Sequence, residues 1–227
     1  MKTITITPLI AIFFCLPSDG ARAEQREFRL SGHINWVDDL NGVLGSSVQA
    51  GMQYTAAFPF KSDTQDTAPS DPTGGSYPCS LPGIRLAVGA FNIEAPTSAS
   101  YNGIGVLNAS ALDQLNLSTI GFDSSGFLNM RADVTLSDRT GNVFSSDALP
   151  LLAPPLTAFD YGDLFVQGYA PDWSFFKFDA GVESLSIVTI PEPTSLIAFL
   201  SAWCLLRAKT GMIPISDQLC SPGLAKP

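Results

Sequence analysis

Charge is scarce in this 227-residue chain: Lys, Arg, Asp and Glu together make up 15% of it, against about a quarter in ordinary soluble domains. Histidine is nearly absent, with His33 the only one. A Ser-His-Asp triad would have to be built on that residue, and no Gly-x-Ser-x-Gly elbow is there to present a serine. His33 falls in an alternating stretch, opposite in phase to Phe28, Leu30 and Trp36, which turns its side chain toward solvent. Cysteines number four, at 15, 79, 204 and 220. Three of them lie in the terminal segments, and Cys79, left alone with one surface histidine, cannot make a zinc site. There is no EF-hand or RTX spacing, no repeat of fixed period, and no long amphipathic helical stripe. These absences speak against an enzyme and against a bound cofactor or metal.

What the chain has instead is turn chemistry and apolar alternation: 19 Gly, 17 Pro and 15 Phe. That mixture suits an all-β domain better than helices. Net charge is −9, and removing the +1 of each terminal segment leaves the middle at about −11. A body so acidic repels phosphate backbones, which excludes nucleic acid as a partner class.

The first 25 residues, "MKTITITPLIAIFFCLPSDGARAEQ", have the parts of a secretory signal: Lys2, an apolar run from Ile4 to Leu16, then breakers and Ala21-Arg22-Ala23. Small residues at Ala21 and Ala23 place cleavage before Glu24. Near the other end, Pro191-Glu192-Pro193 precedes an apolar run from Thr194 to Leu206, followed by Arg207 and Lys209. Those thirteen residues make a helix of roughly 20 Å, short for a hydrocarbon layer of about 30 Å. The prolines prevent its extension backward, and the two cations sit where a stop at the cytoplasmic face belongs.

The order signal, acidic body, Pro-Glu-Pro, apolar run and basic end resembles that of PEP-CTERM proteins. The resemblance implies that Pro191, Glu192 and Pro193 are the sorting motif, Thr194–Leu206 the membrane segment, and Arg207 with Lys209 the basic stop. It implies an exosortase and the export machinery as partners, transient anchorage in the cytoplasmic membrane, and delivery of the body to the cell surface or an extracellular matrix. The stretch "LSGHINWVDD…SSVQAGMQYTAAFPF" is similar to the opening of many small PEP-CTERM bodies. The chain then divides into a signal at 1–23, an all-β extracellular domain at 24–189, a sorting segment at 190–209 and a disordered tail at 210–227.

Within the body the pattern predicts strands separated by turns, and therefore a β-sandwich, jelly-roll-like, or a partly closed barrel. Phe28, Leu30, Gly32, Ile34 and Trp36 are expected on one face. Residues 61–77 read as loop, Asn102-Gly103 as a turn, and "FLNMRADVTLSDRTGNVFSS" as a hairpin looping at 138–142. "LPLLAPPL" is expected to pack over one end of the sheets. Asp63, Asp66 and Asp71, with Asp160 and Asp163, form two acidic loops. They offer calcium-type oxygens, but ordinary turn chemistry accounts for them. Cys79 reads as a loop thiol or an intermolecular disulfide. Aromatics gather in "FDYGDLFVQGYAPDWSFFKF", where Tyr161, Tyr169 and Trp173 flank turns and are the expected contacts for a glycan. The function expected is non-catalytic, structural or interactive, at the cell envelope, with extracellular polysaccharide as a candidate partner. The alternatives are a secreted carbohydrate-binding module and an envelope hydrolase.

Overall fold

The computed structural model describes residues 23–191. They form ten antiparallel strands: β1 Gln25–Asp38, β2 Gln53–Lys61, β3 Gly74–Pro78, β4 Arg85–Val88, β5 Phe91–Glu94, β6 Tyr101–Ala109, β7 Leu112–Ser124, β8 Phe127–Asp138, β9 Tyr161–Tyr169 and β10 Phe175–Thr189. One turn of 3₁₀ helix at Leu156–Ala158 is the only helical element among the described residues. No helix there is long and apolar enough to cross a membrane. The membrane run at 194–206 lies outside the described residues.

All ten strands belong to one open sheet, in the order β3-β6-β7-β8-β9-β10-β1-β2-β4-β5. The sheet curls on itself so that its apolar face encloses a single core, including Phe28, Phe58, Phe60, Leu117, Phe176 and Phe178. Contacts between its distant parts hold the curl. Phe91 of β5 meets Phe127 at the start of β8, at 5.5 Å between ring centres, and Phe178 of β10 at 5.8 Å. The Glu94 amide donates to Ser124 Oγ at 2.9 Å, which also occupies the exposed edge of β5. Deeper in, Thr119 Oγ1 accepts from the Ile84 amide at 3.2 Å and donates to Asn102 Oδ1 at 3.1 Å. Asn102 Nδ2 donates to the Leu81 carbonyl at 2.8 Å. This buried polar chain ties β6 and β7 to the lead-in of β4, and it satisfies groups that would otherwise be costly inside.

Several expectations are corrected by these contacts. Asn102-Gly103 is not a turn but part of β6, because the Asn102 side chain spends its hydrogen bonds across the curl. The segment 61–77 is not all loop: Gly74–Pro78 pairs with β6 as an edge strand. No hairpin follows Asp138; β8 pairs instead with β7 before it and β9 after it. The tight turn is the two-residue connection from β7 to β8, where Ser125 (φ 54) and Gly126 (φ 85) take the left-handed angles a type I′ hairpin requires. Trp36 leaves the face shared by Phe28, Leu30 and Ile34, because the register slips between Ile34 and Trp36. Leu149 and Leu156 pack on the core as expected of the proline-broken segment, while Leu152 stays exposed.

A second slip lies between Ser31 and Gly32. There the backbones of β1 and β10 come so close that a Cβ on Gly32 would stand 1.8 Å from the Gly181 carbonyl oxygen. Neither backbone can retreat without breaking its ladder. Gly32→Ala is expected to cost about 3 kcal/mol or more, seen as a lower urea midpoint by far-UV circular dichroism.

Candidate functional site

Three places gather chemistry-bearing residues: the tip of the β9–β10 hairpin, the outer face of β9, β10 and β1, and the pole where the chain enters and leaves the fold.

The hairpin tip is the run Ala170-Pro171-Asp172-Trp173-Ser174. It is closed by Ala170 N to the Ser174 carbonyl and Trp173 N to the Ala170 carbonyl, both 2.9 Å. The Asp172 carboxylate accepts from the Ser174 amide at 3.0 Å. That bond, the largest of its influences, holds the Asp172 carboxyl below the ordinary range. Trp173 is 68% exposed and sits at φ 66, a conformation costing a bulky residue about 1–3 kcal/mol. Its ring lies 5.9 Å from that of Tyr169, which is in turn 5.4 Å from Phe175. The expected contacts are thus divided. Tyr169 and Trp173 form one cluster with Phe175. Tyr161, 53% exposed, stands at the far end of β9, about 26 Å away along an extended strand, and belongs to another surface.

That surface is built by strand alternation. Asp163 pairs across from Gly181, and Asp179 from Phe165 and Trp36. The two aspartates are therefore diagonal neighbours on one face of adjacent strands. Asp163 is in β9 and not in a loop, which corrects the sequence expectation. Asp179 accepts from Asn35 Nδ2 at 2.9 Å, while Asp163 Oδ1 is buried without a partner. Burial, then the neighbouring Asp179 charge, pushes the Asp163 carboxyl up; a hydrogen bond from Tyr161 pulls it partly back. Beside the pair, Lys177 Nζ lies 5.5 Å over the Trp36 ring and 3.3 Å from Asp38. Sequence reading found neither this pair nor Asn35. The only signal was the matching alternation of two strands whose register the sequence does not state.

The remaining candidates resolve into structure. His33 faces outward and pairs with Glu183 at 2.7 Å. Asp66 accepts from the amides of Ala68 and Ser76 at 2.9 and 2.8 Å, and Asp71 from the Thr73 amide at 2.9 Å. Asp160 accepts from the Arg139 amide at 2.9 Å. These are turn-closing bonds, and among the described residues no three His, Cys, Asp or Glu side chains converge as a metal ligand set. Cys79 packs partly into the core, where burial pushes its thiol up to about 12. So high a value suppresses the thiolate that oxidation requires.

At the entry and exit pole, Ile190 N donates to the Gln25 carbonyl at 2.8 Å, and Ser62 N to the Glu24 carbonyl at 2.9 Å. Ala23, half-buried, precedes β1 and Pro191, exposed, follows β10, so both stand at the same end of this antiparallel pair. Ala21, Glu192, Pro193, Arg207 and Lys209 lie outside the described residues.

The raised Asp163 carboxyl makes a pH prediction. Its folded form holds the proton more tightly than the unfolded chain, so its contribution to stability is present at low pH. That contribution is lost as pH rises through the folded pKa. Above its folded pKa the ionised Asp163 opposes folding. Asp163→Asn is expected to raise the melting temperature at neutral pH, with the gain shrinking as pH is lowered toward about 4. Calorimetry at both ends of that range checks it.

No family model, curated protein or solved structure matches the chain.

Proposed function

We propose that this chain is an exported protein of PEP-CTERM type, delivered to the cell surface or extracellular matrix for a structural or interaction role without catalysis. In this reading the signal is cut after Ala23, and Thr194–Leu206 forms a short transmembrane helix that holds the chain only transiently. An exosortase then removes the tail at or near Pro191-Glu192-Pro193. The curled sheet between them serves as a sandwich-like, jelly-roll-like or partly closed barrel unit.

The observation that carries the reading is where the ladder stops. Its last hydrogen bond is Ile190 N to Gln25 O, and Pro191, which has no amide to donate, is exposed immediately afterward. A cut at Pro-Glu-Pro therefore removes nothing from the ladder, and a cut after Ala23 spares β1. Both processing points lie at one pole, since β1 and β10 are antiparallel neighbours with Arg26 opposite Thr189. The Trp173 hairpin is at the other end of β10, roughly 45 Å off at the rise of a strand. A body tethered by its tail would hold that tip away from the membrane.

N-terminal sequencing and intact mass of surface-associated protein test the proposal together. A start at Glu24 and loss of everything beyond the Pro-Glu-Pro, dependent on the host exosortase, are expected. A mass that retains Cys204 and Pro227 would replace it with a permanent anchor or an unprocessed tail.

A second reading, a carbohydrate-binding module, is favoured by one observation. A tryptophan exposed at a strained backbone position, beside Tyr169, has a conformation that packing does not reward. Trp173→Gly relieves the strain, so the melting temperature should hold or rise. Selective retention on a glycan array that this variant abolishes would favour the binding module.

A further inference from the structure

The chain leaves the fold on a short leash. Ile190 makes the last ladder bond, and only Pro191, Glu192 and Pro193 separate it from the apolar run that begins at Thr194. Fully extended, three residues reach about 10 Å. A headgroup layer is itself about 5–7 Å deep on each side of the hydrocarbon. With the apolar run in a bilayer, the pole that carries Ile190 therefore stands at the headgroup surface. The shortness of the run tightens the leash further: roughly 20 Å of helix against about 30 Å of hydrocarbon draws its ends inward.

What stands beside the exit at this pole is apolar. The connection from β8 to β9 contains the run Leu149-Pro150-Leu151-Leu152-Ala153-Pro154-Pro155-Leu156. Leu149 and Leu156 pack on the core, whereas Leu151 is 39% and Leu152 82% exposed. The corner they form is fastened to the start of β1. Arg26 Nη1 donates to the Leu151 carbonyl at 2.5 Å, and Arg26 Nη2 to Glu24 at 2.8 Å. Arg26 itself lies opposite Thr189, two residues before Pro191. One guanidinium thus holds the leucine corner next to the place where the chain departs. The prolines on either side restrict the corner's backbone, so presenting the two leucines costs little further ordering. Neighbouring leucines that pack on nothing inside the fold are surface suited to an apolar partner.

We propose that, while the tail is inserted, the Leu151–Leu152 corner sinks into the headgroup layer beside it as a second membrane contact; this rests on the reading of residues 194–206 as a membrane segment. The partner is the bilayer surface through its apolar depth and not through its charge, because a body of about −11 is repelled by anionic headgroups. The corner supplements a weak anchor and does not outlast it. Two leucine side chains bury fewer carbons than a single myristoyl chain, which by itself gives only marginal, reversible binding. Loss of the tail therefore frees the body.

Fluorescence of the full chain in phosphatidylcholine vesicles tests it, with bromines on the acyl chains either near the headgroups or near the bilayer centre. Trp203 lies within the apolar run and reports on the tail. Trp36 and Trp173 stand toward the opposite pole and give a constant background. Central bromines should quench the native chain but not Trp203→Phe. Adding Leu152→Trp to Trp203→Phe puts a reporter at the corner; bromines near the headgroups should quench it, and its emission should shift to the blue. Substitution at so exposed a position should leave the melting temperature unchanged. Leu151→Asp with Leu152→Asp should lower several-fold the share of chain that floats with the vesicles. Quenching of Trp203 with none at the corner reporter would overturn the second contact and leave the tail reading standing, as would flotation unchanged by the paired aspartates. No quenching of Trp203 would overturn the tail reading, and this proposal with it.

Discussion

Twelve residue pairs between β1 and β10 hold the molecule in one sheet, from Arg26 opposite Thr189 to Asp38 opposite Lys177. On one side of that ladder hang β2, β4 and β5; on the other, β9, β8, β7, β6 and β3. Without it there would be a four-stranded fragment and a six-stranded one, each showing water the apolar face that it now buries against the other. The ladder joins residues about 150 positions apart, so its loop-closure entropy must be met before the contacts reward it. It also sets the curvature. The slips at Ser31/Gly32 and Ile34/Trp36 bend both strands, and the bend lets Phe91 of the far edge reach Phe178 of the centre.

The acidity of the body has a structural meaning in this frame. Asp39 accepts from the amides of Val43 and Leu44, both at 2.7 Å. Asp113, fully buried, accepts from those of Val143 and Phe144 at 2.6 and 2.7 Å, and Asp138 from those of Thr140 and Asn142, both at 3.0 Å. Long connections in an all-β chain leave many backbone amides outside any ladder, and a short carboxylate is an efficient acceptor for them. Much of the negative charge is thus the by-product of closing loops. The Asp163–Asp179 pair is different in kind, because it closes nothing and opposes folding when ionised.

The all-β class and most strands were legible in the sequence because alternation is local. Phe28, Leu30 and Ile34 share the buried face of β1, and Leu149 and Leu156 of the proline-broken segment pack on the core. What could not be read depended on partners. Trp36 changed face because a slip is a property of two strands. Asn102-Gly103 carries turn chemistry, but a buried threonine 17 residues away recruited the asparagine side chain into a strand. Gly74–Pro78 has no apolar rhythm and is a strand only because β6 offers it a ladder. The candidate sites followed the same rule. Exposure of Trp173 and Tyr161 was foreseeable from their flanking turns, whereas their separation needed the length of β9. The burial of Glu27 between Arg29 and Arg85 needed the order β1-β2-β4, in which residues 27 and 85 come together.

The exit of the chain beside its entry also has a mechanical side. β10 runs from the Trp173 tip to the pole where Pro191 leaves. A pull on residue 191 against a body held at the tip would act parallel to β10. Its two flanking ladders would then be loaded in shear, with many hydrogen bonds sharing the force. The same pull set against the N-terminus, which leaves from the same pole, would peel β1 from β10 one pair at a time from Thr189 inward. Drag on a surface-held body and traction between its two ends are therefore opposed by very different strengths, and the fold is robust along the direction in which a tether would load it.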